Sequence, residues 1–219
     1  MNNSISRTLK EKPVNKKLSK GILIVLEGID GSGKTTQAKL LFQKLIAQGF
    51  EVVIFKEPSS GKWGKKIKEI SVLENSINPE QELKLFLKDR KDNIKKNLKP
   101  SLDKNKVVIL DRYYFSTIAY QGARGIDIEL IKRLNEKMVI EPDLVFILDI
   151  KPEVGLNRIE NRKKKEKLFE KEDFLCKVRE IFNSLVDEKI IRIDATQPLE
   201  EISERIETTV LNYLKSYLI

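Results

Sequence analysis

Five short apolar runs recur along the chain, each four or five residues long, with longer amphipathic stretches between them. They are Ile22–Leu26, Val52–Phe55, Val107–Leu110, Leu144–Leu148 and Ile190–Ile193, mostly β-branched or aliphatic and without polar alternation. A strand that is apolar on both faces must be covered on both faces, which is how strands of a parallel sheet read. The intervening stretches carry helical periodicity. Thr35–Gln48 places Ala38, Leu41, Phe42 and Leu45 on one stripe, with Gly49 following as a C-terminal cap. Glu80–Leu98 sets Leu83, Phe86, Leu87, Ile94 and Leu98 at helical spacing, with Pro100 as its expected end. Ile128–Val139 and Phe174–Asp187 read as further helices. The last runs from about Leu199 to Leu218, with Pro198 near its start and Glu200 and Glu201 in its first turn. Strands alternating with helices predict an α/β fold: a five-stranded parallel sheet flanked by helices, with ligands bound beyond the carboxyl ends of the strands.

The residues after each run therefore matter most. The first is followed by Glu27 and then GIDGSGKTT, Gly28 to Thr36, which contains G-x-x-x-x-G-K-[ST] as Gly28, Gly33, Lys34 and Thr35. Glycines let the segment Gly28-Ile29-Asp30-Gly31-Ser32-Gly33 wrap so that its N–H groups point inward as an anion nest, and the following helix adds its positive end. Lys34 is placed to reach β- and γ-phosphates, and the Thr35 hydroxyl to ligate Mg²⁺. The motif stands between a predicted strand and a predicted helix, the context it requires. A guanine-specific switch would add Asn-Lys-x-Asp, and neither Asn15-Lys16 nor Asn105-Lys106 continues that way.

Composition narrows the chemistry. The chain has no histidine and one cysteine, Cys176, which excludes histidine-dependent nucleophile systems, His-ligated metals, an internal disulfide and cysteine-based metal sites. What remains is carboxylates, lysines, arginines, hydroxyls and backbone N–H groups, an inventory suited to phosphate chemistry with magnesium. No apolar run approaches the ~18 residues of a membrane span, so no membrane association is expected. The lack of cysteine pairs fits a reducing, cytoplasmic setting. The formal charge of +9 is concentrated in two places. Residues 1–20 carry six basic residues against Glu11 and read as a disordered basic tail ahead of a single domain, 21–219. Residues 158–167 carry six more against Glu160 and Glu166, which accounts for the rest. The excess is thus not a diffuse surface, and a nucleic-acid partner is not expected.

Four ordered motifs give the chain its resemblance to the thymidylate kinase family, over about residues 21–215. They are GIDGSGKTT, the Glu57-Pro58 turn, Phe86-x-x-Asp89-Arg90, and Asp111-Arg112-Tyr113 continuing through Ala119-Tyr120-Gln121-Gly122. The resemblance implies a three-layer P-loop NTPase fold with a mobile helical lid at about 157–173. It also implies Mg²⁺- and ATP-dependent phosphorylation of dTMP to dTDP, and a homodimer. In that setting Gly28 through Thr36 and Ala195 would contact ATP. Phe86 would stack on the thymine and Arg90 would hydrogen-bond it, while Glu57, Thr117, Tyr120 and Gln121 line the acceptor site. Arg112 would hold the acceptor phosphate, as its bidentate geometry suits. Asp30 would face the acceptor sugar or the metal shell. Asp111 would hold Mg²⁺ through water, or else pair with Arg112.

Two departures from the family pattern stand out. An arginine placed in the phosphate loop by one group of relatives falls here at Gly31, and the lid motif Asp-Arg-x-Glu of another group reads Lys167-Leu168-Phe169-Glu170. Arg158, Arg162 or a lysine of 163–167 is the expected substitute. Two rival readings remain at this point: a kinase of the same fold acting on dUMP, UMP or a deoxynucleoside, and a non-catalytic nucleotide-binding protein.

Overall fold

The computed structural model describes residues 15–72, 77–159 and 165–219. Five parallel strands form one sheet in the order β2-β3-β1-β4-β5: β1 Ile22–Glu27, β2 Val52–Lys56, β3 Val107–Asp111, β4 Leu144–Asp149 and β5 Ile190–Asp194. Each apolar run is a strand, longer than expected by one polar residue at its carboxyl end. Those five residues, Glu27, Lys56, Asp111, Asp149 and Asp194, close the carboxyl ends of the strands, with Lys56 beside Asp111 and Asp149 beside Asp194 in register. Every residue of β1 and of β3 is buried. Successive strand residues point to opposite faces, so both faces of the sheet are covered.

The helices are α1 Lys34–Ala47, α2 Lys62–Val72, α3 Pro79–Asn93, α4 Lys99–Leu102, α5 Tyr114–Ala123, α6 Ile128–Glu136, α7 Pro152–Ile159, α8 Lys165–Ser184 and α9 Leu199–Lys215. α1 packs on β2 and β3 and against α9, while α5 packs against α6 and α8. Three helices were not expected. α5 is buried nearly all round, α7 spans only eight residues, and α2 is a short amphipathic helix that carries Gly64 in its first turn. α8 starts nine residues before the expected Phe174, because its first part is rich in Lys and Glu, good helix formers with no apolar stripe.

Two expectations are corrected. Pro100 does not end the long helix: Ile94–Leu98 form a π-helical segment that leads directly into α4, which contains Pro100. The wider π turn precedes the proline and relieves the contact between its ring and the carbonyl one turn back. The domain also starts before Gly21. Lys16 N–H donates to the Gly49 carbonyl at 2.8 Å, Ser19 N–H to the Tyr217 carbonyl at 2.8 Å, and Leu18 is a core residue. An apolar side chain within a basic stretch finds a place between the α1–β2 turn and the C-terminus. Residues 1–14 of the expected tail lie outside the described residues.

Candidate active site

β1 hands the chain to the phosphate loop, where Gly28, Gly31 and Gly33 have φ of 136°, 80° and 94°. Gly33 caps α1 from the left-handed region, which costs a residue with a Cβ about 1–2 kcal/mol. The first turn of α1 carries no acid that would compete with an anion for its N–H groups. Lys34 folds back over the loop, its Nζ donating to the Ile29 carbonyl at 2.6 Å and to Ser32 Oγ at 3.2 Å. Burial, then the nearby Arg112 guanidinium, push its ammonium down to about 7.

Thr35 Oγ1 donates to Asp111 Oδ2 at 2.5 Å, and Lys56 Nζ lies 3.4 Å from the same oxygen. Asp111 Oδ1 is buried and without a hydrogen-bond partner among the described residues. A hydroxyl beside a carboxylate with an unused oxygen is a donor set that suits a hard divalent cation. Of the two roles left open for Asp111, pairing with Arg112 is not the one seen: its partners are Thr35 and Lys56.

Arg112 follows β3 with φ 71°, an uncommon conformation for a bulky residue. Its Nη1 donates to the Gly28 carbonyl at 3.2 Å and to Ser116 Oγ at 3.0 Å. Its Nη2 meets the Asp30 carboxylate and the Tyr120 hydroxyl, and the guanidinium lies 5.1 Å from the Tyr120 ring centroid. Asp30 thus neutralises Arg112 from within the phosphate loop.

The turn that presents Arg112 is held by Glu27, a residue to which the sequence reading gave no role. Its Oε1 accepts from the Tyr113 N–H at 2.7 Å and the Ser116 N–H at 3.1 Å, and its Oε2 accepts from the Ser116 hydroxyl. A carboxylate from β1 therefore caps α5, whose own N-cap, Tyr113, makes no side-chain cap. Burial pushes Glu27 up to about 7 despite these donors. The available signal was a lone acid closing an apolar strand.

Beside Arg112 opens a cavity of about 300 Å³, and Phe86, Arg90, Thr117, Tyr120 and Gln121 all line it. Phe86 is half-buried, its ring at the cavity wall. Arg90 is buried and nearly saturated. Its Nε and Nη2 donate to Glu57 Oε2 at 2.9 and 2.7 Å, Nη1 to Asn135 Oδ1 at 2.5 Å, and Nη2 also to Thr117 Oγ1 at 2.9 Å. A guanidinium has five N–H donors, so one Nη1 proton is left for a ligand. Glu57 serves as the anchor of Arg90; burial raises its carboxyl and Arg90 opposes the rise. Asp89 accepts from the Ser59 N–H at 2.7 Å and hydroxyl at 2.6 Å, tying the turn after β2 to α3.

Other residues in this wall, or packed against the residues that form it, were not foreseen. Asn135 is fully buried on α6. Glu82 Oε2 accepts from Gln121 Nε2 and from Arg124 Nη1, both at 2.7 Å. Phe174 on α8 meets the Tyr120 ring edge-on at 6.1 Å and lies 5.8 Å from the Arg124 guanidinium. None carries a motif spacing that would mark it in a single sequence.

On the other flank, Arg158 of α7 donates from Nη2 to the Ala195 carbonyl at 3.0 Å. This joins two residues expected at different ends of the nucleotide. Arg162 lies outside the described residues. Gly31 explains one departure from the family pattern: a Cβ added there would stand 2.1 Å from the Gly155 carbonyl oxygen of α7. An arginine cannot occupy that position while α7 packs on the loop.

Comparison with known proteins agrees with this geometry. A family model described as thymidylate kinase matches residues 26–206. A protein named probable thymidylate kinase from Archaeoglobus fulgidus is 46% identical over 193 residues, covering 88% of this chain and 96% of its own. The thymidylate kinase of Brachyspira hyodysenteriae is 42% identical over 191 residues, 87% and 94% of the two chains. Among solved structures, thymidylate kinase from Ehrlichia chaffeensis superposes with a TM-score of 0.69 at 29% identity, covering 87% of this chain and 98% of that one. With the phosphate loop, the Arg112 turn and the cavity in one place, and relatives matching nearly end to end, the chain belongs to the thymidylate kinase family.

Proposed function

We propose that the protein transfers the γ-phosphoryl group of Mg·ATP to dTMP, giving ADP and dTDP. The observation that carries this reading is the position of Arg112. One guanidinium reaches the Gly28 carbonyl and Asp30 of the phosphate loop on one side and Tyr120 of the cavity on the other. Donor and acceptor phosphates bound in those two places would meet across it.

The chemistry needs little from the protein beyond placement and charge. With a second pKa near ~6, the acceptor phosphate is already close to a dianion at pH 7, so no base has to remove a proton. A chain without histidine is suited to that. On binding, Lys34 leaves the Ile29 carbonyl and Ser32 for phosphate oxygens and becomes fully charged. Arg112 exchanges Asp30 for the acceptor phosphate. Phe86 stacks on the base, Arg90 offers its remaining Nη1 proton, and Tyr120 presses on the sugar. Thr35 and Asp111 would hold Mg²⁺, which when bound neutralises charge on the β- and γ-phosphates. The contact with Ala195 supports a role for Arg158 at the adenine edge, leaving Arg162 and the lysines of 163–167 as the charges of a lid over residues 157–173. The reading also includes one kinase domain, a cytoplasmic location and a homodimer. Among the described residues no helix is long and apolar enough to cross a membrane.

Coupled ADP release with a panel of dTMP, dUMP, UMP and thymidine tests the reading. dTMP is expected to give the highest kcat/KM, and a clear preference for any other acceptor would replace it.

A further inference from the structure

We infer that Lys56 competes with the divalent cation for Asp111: its ammonium holds the carboxylate until a metal ion displaces it, so the protein takes up the metal with the nucleotide and only weakly by itself. The inference rests on reading Thr35 and Asp111 as the place of Mg²⁺.

Of the five residues that close the strands, four are acids and Lys56 is the one base. The register of β2 with β3 sets it beside Asp111. Its Nζ lies 3.4 Å from Asp111 Oδ2, the oxygen that also accepts from Thr35. A tethered cation therefore stands against the carboxylate, and beside the hydroxyl, that a metal ion would use. The two ends of this ion pair differ in freedom. The Asp111 side chain is 3% exposed at the end of a central strand, whereas that of Lys56 is 52% exposed. The lysine can swing into solvent and the aspartate cannot, so the pair opens by movement of Lys56. An ion pair with one partner this exposed is weak enough to be exchanged.

The sparse donor set makes the competition matter. Mg²⁺ sheds its water reluctantly and is usually held by one or two carboxylates together with substrate phosphates. Among the described residues no group of three or more acidic, cysteine or histidine side chains could hold a metal ion. Asp111 lines a cavity of about 330 Å³ that Lys39, Lys56 and Lys68 also line. A metal ion arriving alone meets one carboxylate with an open oxygen, Oδ1, an ammonium already on the other oxygen, and two further lysines. The phosphate oxygens of a nucleotide bring the ligands and the negative charge that this set lacks. Lys56 acts on the metal through Asp111 and not on the reacting atoms.

The test titrates Mn²⁺, a paramagnetic substitute for Mg²⁺, into the full-length protein without nucleotide and reads the free ion by electron paramagnetic resonance. Lys56→Gln removes the competing charge and should tighten Mn²⁺ binding by about threefold or more, the scale of an exposed ion pair. The gain should shrink at high salt, which screens the pair in the wild type. Lys56→Arg keeps a cation in place and should stay within about twofold of the wild type. Lys39→Gln is the control. It removes the same charge from the same cavity, at a residue with no ion pair to Asp111 among the described residues, and should give clearly the smaller gain. Both lysines are exposed, so neither change removes a core contact. Unchanged or weaker binding in Lys56→Gln, or an equal gain in Lys39→Gln, overturns the inference. Asp111→Asn separates it from the reading on which it rests. Weaker Mn²⁺ binding in Asp111→Asn with no gain in Lys56→Gln leaves the metal site standing and removes only the competition. A gain in Lys56→Gln that survives the addition of Asp111→Asn overturns both.

Discussion

Lys34 is 5% exposed and has a carbonyl and a hydroxyl for partners among the described residues. Held down to about 7 from 10.5, it binds fewer protons in the folded than in the unfolded chain between those pH values. Stability therefore rises with pH across that window, and the group is largely neutral at pH 8. Phosphate oxygens reverse this by favouring the charged form. ATP binding at pH 8 should thus take up a substantial fraction of one proton, read by calorimetry in buffers of different ionisation enthalpy. Lys34→Met should abolish the uptake; equal uptake in the variant would assign it elsewhere. The role of Lys34 was legible because the motif fixes its position between two glycines and a helix. Glu27, Glu82 and Asn135 were not, since a buried polar residue reveals itself only through partners that are distant in sequence, such as Glu27 with Ser116 or Asn135 with Arg90.

The element that most shapes the site is the junction between β3 and α5. Strand ends were readable to one residue, because the runs, Arg192 apart, stay apolar until each strand emerges at its polar last residue. α5 was not readable as a helix, because burial on nearly all sides erases amphipathic periodicity. Its start is set by Glu27, whose carboxyl is raised from 4.5 to about 7. The folded state binds more protons than the unfolded between those values, so the contribution of this group is full below pH 4.5 and is lost as pH rises through 7. Glu27→Gln removes that decline. It also removes the charge facing Arg112 and one acceptor of the cap, so the KM for dTMP should rise about tenfold, in line with the loss of a charged hydrogen-bond partner worth ~1.5–3 kcal/mol. Thermal melts from pH 4.5 to 7.5 and acceptor titrations check both. An unchanged KM would show that Arg112 does not depend on Glu27 for its position.

At the scale of the whole molecule, alternation of apolar runs and helical stretches was enough to read the sheet. The strand order and the packing of α7 on the phosphate loop were not, because both depend on long-range contacts that leave no local pattern. The N-terminal boundary was misplaced for the same reason: charge composition favours solvent, yet Leu18 joins the core. Leu18→Ala should cost about 2–5 kcal/mol, and for a chain of this size lower the Tm by several degrees; a shift under one degree would place residues 15–20 outside the cooperative unit. The basic stretch around Arg162, by contrast, takes its proposed meaning from its neighbours in the chain, since Arg158 of α7 meets Ala195 and Phe174 of α8 meets Tyr120. The account as a whole requires that a loop for one phosphate chain and a cavity for a pyrimidine monophosphate work as a single site. Coupled ADP release on adding dTMP to the wild type with Mg·ATP tests this most directly. The account predicts dTMP-dependent release that Lys34→Met abolishes without unfolding the protein; release that is independent of dTMP, or that persists in Lys34→Met, would contradict it.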